Sequence, residues 1–198
     1  VALAEAIAGN EEVFAQAMNR EAQRLGMKSS NFRNAAGLPD PQHYTTARDL
    51  ATLAGALIRD FPEDYAKYYS LKQFRYNNIT QPNRNRLLFI DPTVDGVKTG
   101  HTEAAGYCLV STAEKDGVRL LCVVLGGKGT ARANGTTDFG SFSDTLTAYR
   151  WVFSNYGWRD IVSANDLVCE VPVRYGRDSD GVTVRPAQSI SAVLPSAD

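Results

Sequence analysis

Two early segments of the chain carry apolar residues at helical spacing, each behind a residue that can cap a helix. Asn10 can cap a helix whose apolar positions recur every three to four residues over 14–25, and Gly26 can end it. Thr46 can cap another helix, with an apolar stripe over 50–58. Because each segment joins a start signal to the helical period, the sequence predicts two amphipathic helices.

The middle of the chain has the pattern of β-strands. Residues 105–113 and 118–125 flank a turn that contains Asp116-Gly117, a dipeptide typical of tight β-hairpins. The second of these runs is nearly continuous in Val, Leu and Cys, which favours a central strand. Residues 72–79 alternate weakly and are predicted to form one strand, and the Gly- and Thr-rich segment 126–140 is predicted to be a loop.

The pattern changes again after a further helix predicted over about 143–155. Short β runs separated by polar turns follow, at 166–175, 181–185 and 189–194. Residues 1–8 have no capping residue ahead of them and are predicted to be the end of a helix. We therefore predict an α/β (α+β) fold: an antiparallel sheet flanked by helices over residues 1–156, then part of a small all-β domain over 157–198.

Composition narrows the function classes. The chain has 198 residues and a formal net charge of -1, which gives no general electrostatic footprint for nucleic acid. A hydrophobic content of 43% argues against wholesale disorder, and no apolar run approaches the ~20 residues of a membrane-spanning helix. The first eight residues include Glu5 and no basic residue, so they are not a signal peptide, and export would depend on a signal outside this chain.

Metal chemistry is not expected. The histidines are His43 and His101, and the cysteines Cys108, Cys122 and Cys169 show no CxxC spacing. Each cysteine has apolar neighbours and is predicted to be a small buried hydrophobe.

The tripeptide Lys98-Thr99-Gly100 is the strongest candidate for chemistry. At the start of a sheet strand, a lysine, a hydroxyl and a glycine could present a cation, a donor and an open backbone edge to a ligand. Serine acyltransferases that bind penicillin combine S-x-x-K, S-x-N and K-T-G motifs in this way. The tripeptide by itself favours the plainer interpretation, an exposed lysine followed by a turn glycine.

The surroundings of the tripeptide resemble the D-alanyl-D-alanine carboxypeptidases among the low-molecular-mass penicillin-binding proteins. Similar blocks occur in family order over essentially the whole chain, at 25–38, 44–60, 83–88 and 95–107. This resemblance implies a β-lactamase/transpeptidase-like sheet and a serine peptidase that needs no cofactor. It also implies that Lys98 and Thr99 bind the substrate carboxylate, that Gly100 gives clearance, and that the backbone N–H of His101 is half of an oxyanion hole.

The resemblance leaves alternative roles open for three side chains. Arg84 matches a family arginine near the substrate carboxylate, and a surface arginine is the alternative. Arg132 could match another basic residue of the substrate site, although the loop around it differs. The side chain of His101 is expected to be a pocket wall rather than a general base, because the family takes its base from the S-x-x-K lysine.

The chain departs from the family in its other motifs. No serine is followed three residues later by lysine, so the nucleophile and its base are expected outside this chain. Ser29-Ser30-Asn31 and Ser163-Ala164-Asn165 match S-x-N by letters only and are predicted to be turns or caps. We expect this chain to be the C-terminal portion of a carboxypeptidase and to be inactive alone.

The resemblance also implies partners and a location. The expected substrate is a peptidoglycan stem peptide ending in D-Ala-D-Ala, with β-lactams as inhibitors and a role in cell wall biogenesis and cell shape. The expected location is periplasmic or at the inner membrane, with anchoring only through a C-terminal segment absent here. Two other functions remain open: a non-catalytic peptidoglycan-binding or interaction module of the same fold, and a β-lactamase, against which the second β-rich domain argues.

Overall fold

The computed structural model describes residues 1–131, 133, 135, 137–175, 177 and 180–196. The chain divides into two compact units. The first contains Val1–Glu114 and Arg119–Arg150, and the second contains Lys115–Val118 and Trp151–Asp198. The domain boundary after residue 156 stays a prediction.

Six helices occur in the described residues, and local chemistry explains where the two longest early ones begin. Asn10 Oδ1 accepts the N–H of Val13 at 2.8 Å, and Gly26 takes a φ of 80°, so the predicted cap and stop are confirmed. Thr46 Oγ1 likewise accepts an N–H, from Asp49 at 3.2 Å. The helices are α1 Ala2–Ala8, α2 Glu11–Arg24, α3 Ala47–Asp60, α4 Pro62–Tyr68, α5 Leu87–Ile90 and α6 Gly140–Asn155.

The strands form small antiparallel sheets, which confirms the mixed α/β class. Their bounds are β1 Gln73–Tyr76, β2 Ile79–Pro82, β3 Val94–Thr102, β4 Gly106–Lys115, β5 Val118–Gly127, β6 Gly129–Ala131, β7 Thr137–Phe139, β8 Tyr156–Val162, β9 Cys169–Pro172, β10 Gly181–Val184 and β11 Ile190–Pro195. The largest described sheet has the order β3-β4-β5. Its middle strand β4 buries Leu109, Ser111, Thr112 and Ala113 almost completely, so the core of the first unit lies against this strand.

Several predicted elements are wrong in detail. The single strand predicted over 72–79 is a hairpin, because Asn77 and Asn78 both take positive φ (48° and 62°) and turn the chain between β1 and β2. The predicted loop over 126–140 contains the paired strands β6 and β7. The strand predicted to be central, 118–125, lies beside β4 rather than in the middle of the described sheet.

The second unit is built from two pairs of strands. β8 pairs with β11, and β9 pairs with β10, both antiparallel. The first pair contains a strand, β8, that the sequence pattern did not show, and β9 is shorter than the run predicted over 166–175. In the described part of the chain, no helix has the length and apolar character needed to cross a bilayer.

Candidate active site

Lys98, Thr99 and Gly100 lie in the middle of β3. The sequence predicted them at a strand start, but pairing already begins at Val94, opposite Ala113 of β4. β3 is the outer strand of the described sheet, so one side of its backbone has no strand partner among the described residues. An open strand edge of this kind offers main-chain donors and acceptors to an extended peptide.

A cavity of about 510 Å³ lies beside this strand, and we call it the first cavity. It brings together four of the residues singled out in the sequence: Arg84, Thr99, Gly100 and His101. A Cβ added to Gly100 would meet no atom within 4 Å, so the glycine leaves open space on the strand. The cavity is also lined by residues that the sequence did not single out as site residues, namely Arg86, Tyr107, Phe139, Ser141 and Phe142.

Lys98 lines a different cavity, of about 360 Å³, which we call the second cavity. Alternation along a strand explains why Lys98 and His101 line different cavities, because side chains three residues apart on a strand point to opposite faces. Thr99 and Gly100 line both cavities. The walls of the second cavity are largely apolar and include Leu50, Leu53 and Leu57 of α3. Partial loss of hydration lowers the pKa of Lys98, and the charge of Arg84 lowers it further.

Two asparagines fix the backbone on either side of Arg84. Asn83 Oδ1 accepts the N–H of Asn85 at 2.9 Å. Asn85 is only 2% exposed; its Nδ2 donates to the carbonyl of Gly96 at 3.0 Å, and its Oδ1 accepts the N–H of Leu87 at 3.2 Å. Since Gly96 lies two residues before Lys98 on β3, this buried amide ties the Arg84 loop to the strand.

The side chain of His101 belongs to a column of aromatic rings. It stacks on Tyr107, its register partner on β4, with centroids 4.1 Å apart and planes 23° apart. The ring centroids of Tyr107 and Phe139 are 4.5 Å apart, and Cζ of the Arg86 guanidinium lies 4.7 Å from the centroid of the Phe139 ring. We call His101, Tyr107 and Phe139 the aromatic column. Stacking of this kind holds the imidazole against the cavity wall.

A polar network anchors the first half of β3. The buried Tyr65 donates its hydroxyl hydrogen to Asp95 at 3.0 Å, and Thr112 donates to the same carboxylate at 2.5 Å. Arg119 forms an ion pair with Asp95 at 2.7 Å. Burial raises the pKa of Tyr65, and the Asp95 carboxylate adds to the rise. Gly96 fits against this network with no space to spare, because a Cβ there would lie 2.3 Å from the Tyr65 hydroxyl oxygen.

The remaining sequence candidates lie elsewhere. Arg132 lies outside the described residues. Ser163, in the second S-x-N look-alike, accepts the N–H of Asn165 in a turn, as predicted. Ser30, in the first, forms neither a turn nor a cap: it shares hydrogen bonds at 2.7 Å with Thr45 and Asp49, which lie 15 and 19 residues further along the chain. Among the described residues, no group of three or more His, Cys, Asp or Glu is placed to hold a metal ion.

The cysteines are less buried than predicted. Cys169 is exposed, while Cys108 and Cys122 are half-buried, and all three are free thiols. Cys108 is opposite Gly100 in the β3–β4 register and lines the first cavity. The prediction for Cys169 rested on its apolar neighbours and is wrong, because β9 is exposed along its whole length.

Residues 1–129 match the family model described as D-alanyl-D-alanine carboxypeptidase. The chain is 42% identical over 179 residues to the D-alanyl-D-alanine carboxypeptidase DacA of Haemophilus influenzae, which covers 89% of this chain and 43% of that protein. The crystal structure of penicillin binding protein 5 from the same organism is similar over 98% of this chain and 54% of that chain, at 38% identity and a TM-score of 0.74. The resemblance found in the sequence and the predicted fold class are thereby confirmed.

A further similarity concerns a ligand-bound structure. Penicillin-Binding Protein D2 from Listeria monocytogenes, in its cefotaxime-bound form, is 32% identical, with a TM-score of 0.60 over 69% of this chain and 53% of that chain. The chain thus spans about half the length of the proteins it matches.

Proposed function

Because the chain belongs to the D-alanyl-D-alanine carboxypeptidase family, we propose that the whole protein is a serine-type peptidase that removes the terminal D-alanine from peptidoglycan pentapeptide stems. A serine ester forms and is then hydrolysed, and β-lactams acylate the same serine. The cefotaxime-bound relative supports the inhibitor class. The reaction uses no cofactor and takes place in the periplasm or at the inner membrane, with anchoring through a C-terminal segment outside this chain.

In this proposal, the residues of this chain bind and orient the substrate. Thr99 and Arg84 hold the terminal carboxylate. Lys98, which lines the second cavity together with Thr99, helps to bind the same carboxylate and adds positive charge to the site. The backbone N–H of His101 is one donor to the oxyanion, the other being the N–H of the serine itself; losing one such donor typically costs ~10²–10³ in rate. The nucleophile and its base come from residues outside this chain, since it contains no S-x-x-K. Arg132 is a further candidate for the carboxylate.

One observation carries the proposal: the first cavity joins Arg84, Thr99, Gly100 and His101 at an open strand edge. A peptide that pairs with β3 would pass Gly100, where the strand has open space, and end at a guanidinium. A guanidinium binds a carboxylate through two parallel hydrogen bonds, which favours a chain end over an internal peptide bond.

The binding half of the proposal is testable on the 198-residue chain. ¹H–¹⁵N NMR titration with N-acetyl-D-alanyl-D-alanine should shift the amide signals of Thr99, Gly100 and His101. The C-terminal amide of the same dipeptide should bind about tenfold more weakly, because it lacks the charge that Arg84 recognises. Arg84→Gln should abolish the difference between acid and amide, and Arg20→Gln, an equal charge change on α2, should keep it. Equal binding of acid and amide by the unmodified chain would contradict a carboxylate site.

The catalytic half is tested by intact mass after incubation with a penicillin. We expect no adduct on this chain, and a stoichiometric adduct would mean that one of its own serines is the nucleophile. For the whole protein, binding without hydrolysis of the dipeptide would favour the non-catalytic peptidoglycan-binding module. Rapid turnover of penicillin would favour the β-lactamase.

A further inference from the structure

The pairing of β3 with β4 shifts by one residue close to the start of β3. Val94 is opposite Ala113, but Gly96 is already opposite Thr112, the next residue along β4. Asp95 is therefore an extra residue on β3, and the strand contains a one-residue β-bulge. The bulge lies just before the K-T-G tripeptide, so it affects the direction of every side chain in that segment.

The bulge decides on which face of the sheet each later residue of β3 lies. Paired residues of antiparallel strands share a face, and neighbouring residues alternate between faces. Lys98 is paired with Val110, and His101 is paired with Tyr107, on whose ring it stacks. If the register at Val94 continued without an extra residue, Lys98 and His101 would each lie on the opposite face. We call this alternative the regular pairing.

Both ends of the hairpin are compatible with the regular pairing. At the start of β3, Val94 is only 6% exposed opposite Ala113, so burial favours the register of this pair. Eight residues further along β3, the same register would pair Thr102 with Ala105 and leave a two-residue connection. Connections of two residues are the commonest in β-hairpins. Some contact at the bulge itself must therefore exclude the regular pairing.

Tyr65 of α4 supplies this contact, because its hydroxyl fills the space opposite Thr112. Gly96 occupies this position, and a Cβ added there would lie 2.3 Å from the Tyr65 hydroxyl oxygen. The regular pairing would place Asp95 opposite Thr112, and Asp95 has a Cβ. Since only a residue without a side chain fits at this position, the strand must include one extra residue to bring Gly96 there.

Asp95 in turn keeps the Tyr65 hydroxyl in place. Tyr65 is 3% exposed, and its hydroxyl donates a hydrogen bond to Asp95 Oδ1 at 3.0 Å. The same carboxylate accepts a hydrogen bond from Thr112 at 2.5 Å and forms an ion pair with Arg119 of β5 at 2.7 Å. The carboxylate is thus fixed from two strands, and it fixes the tyrosine from a third.

We propose that Tyr65 is a positioning residue for the substrate site. Its hydroxyl sets the register of β3 and thereby the faces on which Lys98, Thr99 and His101 lie, and it acts through the strand rather than by contact with the substrate. The link to the substrate rests on the function proposed above, whereas the link to the register does not.

Tyr65→Phe tests the proposal, because it removes the hydroxyl and keeps the ring. In the 198-residue chain, the nuclear Overhauser contacts between the rings of His101 and Tyr107 should weaken as His101 moves to the other face. The affinity for N-acetyl-D-alanyl-D-alanine, measured by NMR titration, should fall at least about tenfold, the effect of losing one charge-assisted hydrogen bond. Tyr68→Phe, an exposed tyrosine of the same helix, is the matched control and should change neither readout.

Deletion of Asp95 in the Tyr65→Phe background provides a rescue. Without this residue, the regular pairing from Val94 onward itself brings Gly96 opposite Thr112, so ring contacts and affinity should both return. A tyrosine that only stabilised the fold would not be rescued by the loss of its own partner.

The outcomes separate this proposal from the one beneath it. Unchanged ring contacts in Tyr65→Phe, or no recovery in the folded double variant, would overturn the role of Tyr65. If the unmodified chain does not bind the dipeptide, the function proposed above fails, while the ring contacts still decide whether Tyr65 sets the register.

Discussion

Gly96→Ala should destabilise the protein, although alanine suits a strand better than glycine does. The added Cβ would lie 2.3 Å from the hydroxyl oxygen of Tyr65 and 3.0 Å from its Cζ. Either atom must move by on the order of 1 Å to restore an ordinary contact, and overpacking of this kind costs about 1–3 kcal/mol. Tyr65 is 3% exposed and cannot move toward solvent without disturbing its hydrogen bond to Asp95.

Two further effects add to this overpacking cost, with opposite signs. Loss of a hydrogen bond to a charged group costs about 1.5–3 kcal/mol, while replacing glycine by alanine reduces the entropy of the unfolded chain and returns about 0.4–1 kcal/mol. We expect a net loss of about 2–4 kcal/mol in the free energy of unfolding. Urea denaturation followed by far-UV circular dichroism measures this loss. Hydrogen exchange at the amides of β3 shows whether it is located at the strand.

Gly100→Ala is the matched control on the same strand. Its Cβ would meet no atom within 4 Å, so its effect on stability should stay within about 0.5 kcal/mol. A second check is Tyr65→Phe, which removes the clashing oxygen; in that background, Gly96→Ala should cost at least about 1 kcal/mol less. Equal effects of Gly96→Ala and Gly100→Ala, or a cost that Tyr65→Phe does not reduce, would refute the steric argument.

Three further predictions concern the residues around the first cavity. Arg84→Gln should raise the pKa of Lys98, measured by NMR titration of its side chain, and an unchanged value would show that the two cations do not interact. Folding lowers this pKa, so at a pH between the folded and unfolded pKa values of Lys98 the protein takes up a proton when it unfolds. The free energy of unfolding should therefore rise with pH across this range, and it should rise less in Arg84→Gln. Asn85→Ala should lower the free energy of unfolding, measured by urea denaturation, by about 2–3 kcal/mol, because it leaves the buried carbonyl of Gly96 without this donor. A loss below roughly 0.5 kcal/mol, the level of a surface change, would mean that this hydrogen bond does not hold the Arg84 loop to β3. Gly100→Val should leave stability nearly unchanged but weaken binding of N-acetyl-D-alanyl-D-alanine in the NMR titration, and undiminished binding would mean that the peptide does not pass this residue.

Local signals in the sequence predicted the elements whose ends depend on local chemistry. Asn10 and Thr46 cap their helices through side-chain bonds three residues away, and Gly26 stops α2 through its own positive φ. Pro62 lies past the end of α3, where a proline is typical, and it also begins α4. Proline serves both purposes, because it lacks the N–H that a first helical turn leaves unsatisfied.

Other features depend on contacts that no local pattern encodes. Lys98-Thr99-Gly100 interrupts the apolar alternation, so the sequence predicted only the start of a strand there. Pairing with β4 extends β3 over Val94–Thr102. The lining of the first cavity brings Arg86 together with Phe139 and Phe142, more than 50 residues further along the chain. The resemblance located Arg84 and the tripeptide, but only the packed structure reveals the second arginine.

The two tryptophans of the chain offer a way to watch its two units separately. Trp151 and Trp158 both belong to the second unit, where the indole N–H of Trp158 donates to the carbonyl of Gly117 at 2.9 Å. Intrinsic fluorescence therefore follows unfolding of the second unit, whereas the circular dichroism of the helices follows mainly the first. If the two signals change at the same urea concentration, the units unfold as one cooperative system; if they separate, each has a stability of its own.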